Sequence, residues 1–242
     1  MCFTINIHTS RDAIEKRYNS DASSLIDFEY RYFYRAFDNP SIPVITNQQK
    51  DLVQLYQWGL IPHWVRTEEE AERIRRLTYN ARGESIHEKP AFRSAHKNQR
   101  CIVIASGFFE WEHRNTNKIP WYISLKDEEL MSLAGLFSIW NNPGTGEIIE
   151  SVSIVTTHAN QLMERIHNSK KRMPVILDKG GIEEWLSPPG KESENTGFLS
   201  PFDQDKLKAF TISKKISGRN TDPFDPDILH PEEYPNEKSL FD

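Results

Sequence analysis

The sequence predicts an α+β fold with one dominant, mainly antiparallel sheet. Strand-like runs of branched and aromatic residues recur along the chain, helical patterns are few and short, and turn-forming stretches join several runs. The expected strands are residues 2–7, 44–46, 52–58, 101–111, 121–125, 130–140, 148–157, 173–177 and 209–212, and 141–146 reads as a turn. The first expected helix covers 67–77: Thr67 offers a cap, Glu68, Glu69 and Glu70 suit the positive N-terminal end, and arginines follow toward the close. A second, 159–167, places Leu162, Met163 and Ile166 on one side, and a third short helical turn falls at 182–186. No internal repeat interrupts this order.

A chain of 242 residues supports one sizeable core, and a single domain is expected over 1–221. Residues 222–242 read as a separate acidic tail, with prolines at 223, 226, 231 and 235, that wraps the surface or stays mobile. No apolar run is long enough for a membrane helix, and the N-terminus lacks the pattern of a secretion signal. Two cysteines, Cys2 and Cys101, make no disulfide framework, so a cytoplasmic protein, expected as a monomer, is the reading. The net charge of -5 argues weakly against nucleic acid, but it is unevenly placed. Seven acids against Lys238 give 222–242 a charge of -6, which leaves +1 for residues 1–221. Basic residues gather there at Arg66, Arg73, Arg75, Arg76, Arg82, Arg93, Lys97 and Arg100, then at Lys170, Lys171 and Arg172, and again at Lys214, Lys215 and Arg219. An anion-binding face is therefore compatible with the acidic total, although solvated helix surfaces also account for such charges.

Four segments carry chemically capable residues. Methionine ahead of the small residue Cys2 suits removal of Met1, which would leave an α-amine beside a thiol. Such a 1,2-aminothiol captures aldehydes: the amine condenses to an imine and the thiol closes a five-membered thiazolidine. An α-amine also has roughly a few hundred times the neutral fraction of a lysine at pH 7. Alternatively, Cys2 simply starts a strand. In Tyr79-Asn80-Ala81-Arg82-Gly83-Glu84, Asn80 and Arg82 share one face of an extended chain, where an amide and a guanidinium suit sugar and phosphate oxygens; a self-pinned loop is the other reading. Glu110 lies between Phe109 and Trp111, so it is either a buried acid suited to proton transfer or an outward residue between inward rings. His167, near a helix end, could relay a proton or cap the helix. Neither metal nor cofactor is expected, because the eight histidines and two cysteines show no ligand spacing and there is no glycine-rich phosphate loop.

Taken in order, these segments resemble the SRAP family, named for SOS response-associated peptidase. The matching stretches are Met1-Cys2, Trp58-Gly59-Leu60-Ile61-Pro62, Asn80-Ala81-Arg82-Gly83-Glu84, Lys89-Pro90-Ala91-Phe92-Arg93, Arg100-Cys101 through Gly107-Phe108-Phe109-Glu110-Trp111, and His167 with Arg172-Met173-Pro174. The resemblance implies a compact, barrel-like, sheet-rich domain with short peripheral helices that holds single-stranded DNA containing abasic sites. It implies a thiazolidine crosslink through Cys2, with Asn80 bonding at the terminus or sugar, Glu110 shuttling protons and His167 assisting opening of the sugar. Arg82 would grip a phosphate, Trp64 would stack on a base, and Arg172, with Lys170 and Lys171, would add positive charge to the DNA face. The implied setting is the DNA damage response.

This chain departs from the commonest family form in places. Phe3-Thr4 follows Cys2 where Gly-Arg is usual, which removes one phosphate-contacting arginine, and Phe37-Asp38-Asn39-Pro40 replaces Asn-x-Ala-Pro. Four residues separate His167 from Arg172, more than in the compact form. Two rival functions stand beside crosslinking: a cysteine peptidase that removes Met1 itself, with Cys2, His167 and Glu110 as its machinery, and a non-covalent module for single strands.

Overall fold

The computed structural model describes residues 2–187 and 199–235. The chain opens with strand β1 (Thr4–Asn6), helix α1 (Arg11–Tyr18), β2 (Tyr34–Arg35), β3 (Ser41–Thr46), β4 (Val53–Trp58), α2 (Glu68–Arg75) and β5 (Asn80–Arg82). Helix α3 (Arg93–Asn98) leads into β6 (Arg100–Ala105), β7 (Gly107–Arg114), β8 (Asn117–Leu125), β9 (Met131–Asn141) and β10 (Ile148–His158). The rest is α4 (Gln161–Ile166), β11 (Arg172–Pro174), β12 (Ile176–Leu177), α5 (Lys179–Trp185) and β13 (Leu207–Thr211).

Strands β10, β4, β3, β6 and β9 are hydrogen-bonded in that order, and β9 pairs back with β10, so the five close into a barrel. Only β10 makes parallel pairings among the named strands, with β4 and β5; the rest are antiparallel. A second sheet runs β13-β8-β7-β1-β2. Alternation explains the barrel's sequence. Val44, Val103, Leu133, Val152 and Ile154 join an apolar cluster shared with Cys2, Ile5 and Phe108 of the second sheet. Their neighbours Ile45, Ile102, Ala134 and Val155 join another, with Ile14 of α1, Ala95 of α3 and Trp185 of α5. Both faces of β6 are buried, hence its unbroken apolar run.

The expected run 101–111 is not one strand. The chain leaves the barrel at Ser106 and enters the second sheet at Gly107, where a Cβ would lie 2.5 Å from the Tyr122 hydroxyl and 2.6 Å from the Ile123 carbonyl oxygen. Likewise 173–177 divides into β11 on β10 and β12 on β9. Strand β3 begins before the expected 44–46 because Pro43 obscures its start; pairing with β6 begins only at Val44, so the missing proline N–H interrupts no bond to β6. Helix α1 escaped the sequence pattern although Ser10 caps it by accepting from the Ala13 N–H and Asn19 ends it at φ 51°.

The boundary expected after residue 221 cuts across a packed surface. The Tyr32 N–H donates to the Pro223 carbonyl at 2.9 Å, Ile228 is buried beside Ile212 and Ile216, and the Tyr234 hydroxyl donates to the Ile212 carbonyl at 2.8 Å. Residues 222–235 thus lie against the body, while 236–242 fall outside the described residues. Among the described residues no helix is long and apolar enough to cross a membrane.

Candidate functional site

The site assembles where the start of β1 meets β5, β7 and the end of α4. Cys2 is fully buried, and Asn80, the first residue of β5, donates its side-chain N–H to the Cys2 carbonyl at 2.9 Å. That bond holds the chain's second residue against the strand that carries Arg82. The Asn80 side-chain oxygen is buried with no hydrogen-bond partner among the described residues.

Glu110 sits mid-strand in β7 opposite Trp121 and is 4% exposed, which excludes the outward orientation. Burial raises its carboxyl to about 7, near the midpoint for proton exchange at neutral pH. The Cys2 thiol is pushed well above its ordinary value, first by burial and then by the charge of Glu110, so it is held as a thiol. His167 caps α4 at its C-terminal end and is buried, not a surface cap. Its Nδ1 lies 2.8 Å from the Arg172 carbonyl and 3.7 Å from Glu110 Oε1. Burial lowers the imidazole to about 4, so it is neutral near pH 7. A carbonyl can only accept, so Nδ1 carries the proton and Nε2 keeps its lone pair. Cys2, Asn80, Glu110 and His167, from four separate segments, therefore form one cluster.

Beside the cluster runs a groove of about 550 Å³ whose wall includes Phe3, Trp64, Leu77, Asn80, Arg82 and Lys89. Trp64 is 41% exposed, with its indole N–H 3.4 Å from the Pro90 carbonyl. Arg82 is exposed on the wall, and Arg76 and Lys89 add charge. Phe3 and Lys89 were missed as groove residues, although alternation along the first strand points Phe3 away from the face taken by Cys2.

The other expected cations divide. Arg172 commits its guanidinium to partners within the protein: it is buried and makes bonds of 2.6 and 2.9 Å to both oxygens of Glu84 and one of 2.8 Å to the Thr156 carbonyl. It clamps β11 to the segment after β5 and offers its own carbonyl to His167. Arg75 and Arg100 are also buried and belong to no exposed basic face. Lys170 and Lys171 are exposed in the turn after α4, with Lys171 3.8 Å from Glu164, and form no part of the groove wall. Among the described residues no three His, Cys, Asp or Glu side chains gather as a metal site.

The sequence matches the family described as SOS response associated peptidase (SRAP) over residues 1–218. The chain belongs to the SRAP family. A curated relative, the abasic site processing protein YoqW of Bacillus subtilis (strain 168), is 35% identical over 227 residues, covering 92% of this chain and 97% of YoqW. The abasic site processing protein HMCES of Xenopus tropicalis is 32% identical over 174 residues, which cover 62% of this chain and 51% of HMCES. An X-ray crystal structure of a protein from Bacteroides thetaiotaomicron superposes with a TM-score of 0.90 at 39% identity, covering 96% of this chain and all 100% of that one. In this SRAP domain a buried thiol, a carboxyl that titrates near neutrality and a neutral imidazole are joined through Asn80 to a partly cationic, aromatic-walled groove. Such a set can exchange protons at neutral pH next to the chain's start.

Proposed function

We propose that this protein processes abasic sites in single-stranded DNA by capturing the sugar aldehyde at Cys2, once Met1 has been removed. The observation that carries the reading is the convergence of Cys2, Asn80, Glu110 and His167 beside a groove with exposed Arg82 and Trp64. Relatives named abasic site processing proteins support the substrate class.

The chemistry balances within the cluster. The Cys2 amine adds to the ring-opened aldehyde to give a carbinolamine, and protonated Glu110 donates to its hydroxyl, which leaves as water. The resulting carboxylate takes the thiol proton as sulfur attacks the iminium carbon, closing the thiazolidine and restoring the acid. One proton leaves Glu110 and one returns, a cycle favoured by a carboxyl poised at about 7. A raised thiol suits this order, since sulfur is deprotonated only at attack. The unprotonated Nε2 of His167 would take the hemiacetal hydroxyl proton as the ring opens and return it to the departing ring oxygen, so that the aldehyde and the alcohol form with no net proton change. Asn80 holds the terminus in place.

The peptidase reading is less well supported, because a hydrolytic cysteine relies on a lowered thiol and burial here acts the other way. Incubation of the protein with an abasic oligonucleotide, beside a peptide-cleavage assay, separates the readings. A mass shift that survives denaturant supports capture. Peptide cleavage without a shift supports a hydrolase, and reversible retardation alone supports a simple strand-binding module.

A further inference from the structure

We propose that Phe3 and Phe37 form a stacking seat for the unpaired base next to the lesion, so that this chain grips its strand by ring contact as well as by charge. The inference rests on the proposed single-strand substrate and names how that substrate is held. Phe37 is 64% exposed, a costly state for an apolar ring without an occupant. It is nevertheless fixed in place. It lies in a short helical turn, Ala36–Asp38, that ends in Asn39 at φ 48°. The Asn39 side-chain oxygen accepts the Tyr79 hydroxyl at 2.9 Å, and the Ala36 N–H donates to the Phe3 carbonyl at 2.9 Å.

The rings form a shelf. Phe3 and Phe37 stack with centroids 5.0 Å apart and planes 29° from parallel, and Tyr79 meets them edge-on at 6.3 and 5.4 Å. Phe3 lies on the groove wall one residue from Cys2, so whatever rests there adjoins the reacting terminus. Arg76, Arg82 and Lys89 on the same wall add positive charge. A flat apolar face beside an anionic link is the chemistry of a nucleotide, and base–ring stacking tolerates any base.

The test uses a single-stranded oligonucleotide with a tetrahydrofuran at the lesion, which binds without reacting. Adenine, thymine or a second tetrahydrofuran is placed on each side in turn. On one side affinity should fall from adenine to thymine to no base, with adenine about tenfold or more above no base. Phe37→Ala should flatten the series and Phe37→Tyr restore it, with thermal unfolding confirming that both are folded. A flat series for the parent on both sides, or a full adenine preference in Phe37→Ala, overturns the seat. Crosslinking to an aldehyde-bearing strand is read separately in the parent. If it fails while the series holds, the capture reading falls and the stacking seat stands.

Discussion

Glu110 offers the sharpest changes from single atoms. Glu110→Gln keeps the shape but removes proton transfer, so crosslinking to an abasic strand should slow on the order of 100-fold, while binding of a tetrahydrofuran strand changes little. The same group has a stability signature. Its carboxyl rises from 4.5 to about 7 on folding, so the folded state holds the proton more tightly and stability falls as pH climbs through that window. His167 drops from 6.5 to about 4, so the unfolded state binds more protons and stability rises between those values. The two oppose each other between about pH 4.5 and 6.5. Urea midpoints across this range should therefore climb more steeply with pH in Glu110→Gln than in the parent, and fall relative to the parent in His167→Gln. Parallel curves for all three proteins would show that neither shift exists. Taken singly, Cys2 and Glu110 were open in the sequence between a chemical and a structural reading, and only the ordered resemblance to the SRAP family singled them out as candidates. Their gathering was not, since nothing in local spacing joins segments around residues 2, 80, 110 and 167. Arg172 shows the converse: an arginine beside lysines reads as surface charge until its bond to Glu84 is seen.

At the level of elements, the passage from barrel to second sheet at Ser106 positions β7 and hence Glu110. Gly107→Ala would force a Cβ against a backbone carbonyl at 2.6 Å, which cannot yield as a side chain tip can. A loss of about 1–3 kcal/mol is expected in urea unfolding, and no loss would mean that the crossing is slack. This crossing explains why strand content was legible and connectivity was not. Residues 101–111 are largely apolar on both sides of Ser106-Gly107, and periodicity does not reveal the steric demand at Gly107 that marks the change of sheet. Helices α1 and α3 were missed because they bury little: α1 buries only Ile14 and α3 only Ala95 among their residues, leaving a weak apolar stripe for a pattern to detect.

For the whole molecule, the proposed function makes charge and shape together the determinants of which DNA reacts. The acidic segment 222–235 lies against the body around Ile212 and Tyr32, and the groove draws its charge from Arg76, Arg82 and Lys89. Abasic single strands should react much faster than an intact duplex, whose stacked neighbours deny the groove its base, and initial binding should weaken as salt rises. Equal rates on the two substrates at matched salt would count against the groove as the strand's path. The most direct test of capture is intact-mass measurement of purified protein, with and without Met1, before and after reaction with an abasic oligonucleotide. Protein lacking Met1 should gain the mass of the strand less one water and keep it in denaturant without reductant, whereas Cys2→Ala should give no such stable adduct. A full-strength adduct from protein that retains Met1, or from Cys2→Ala, would contradict capture at Cys2.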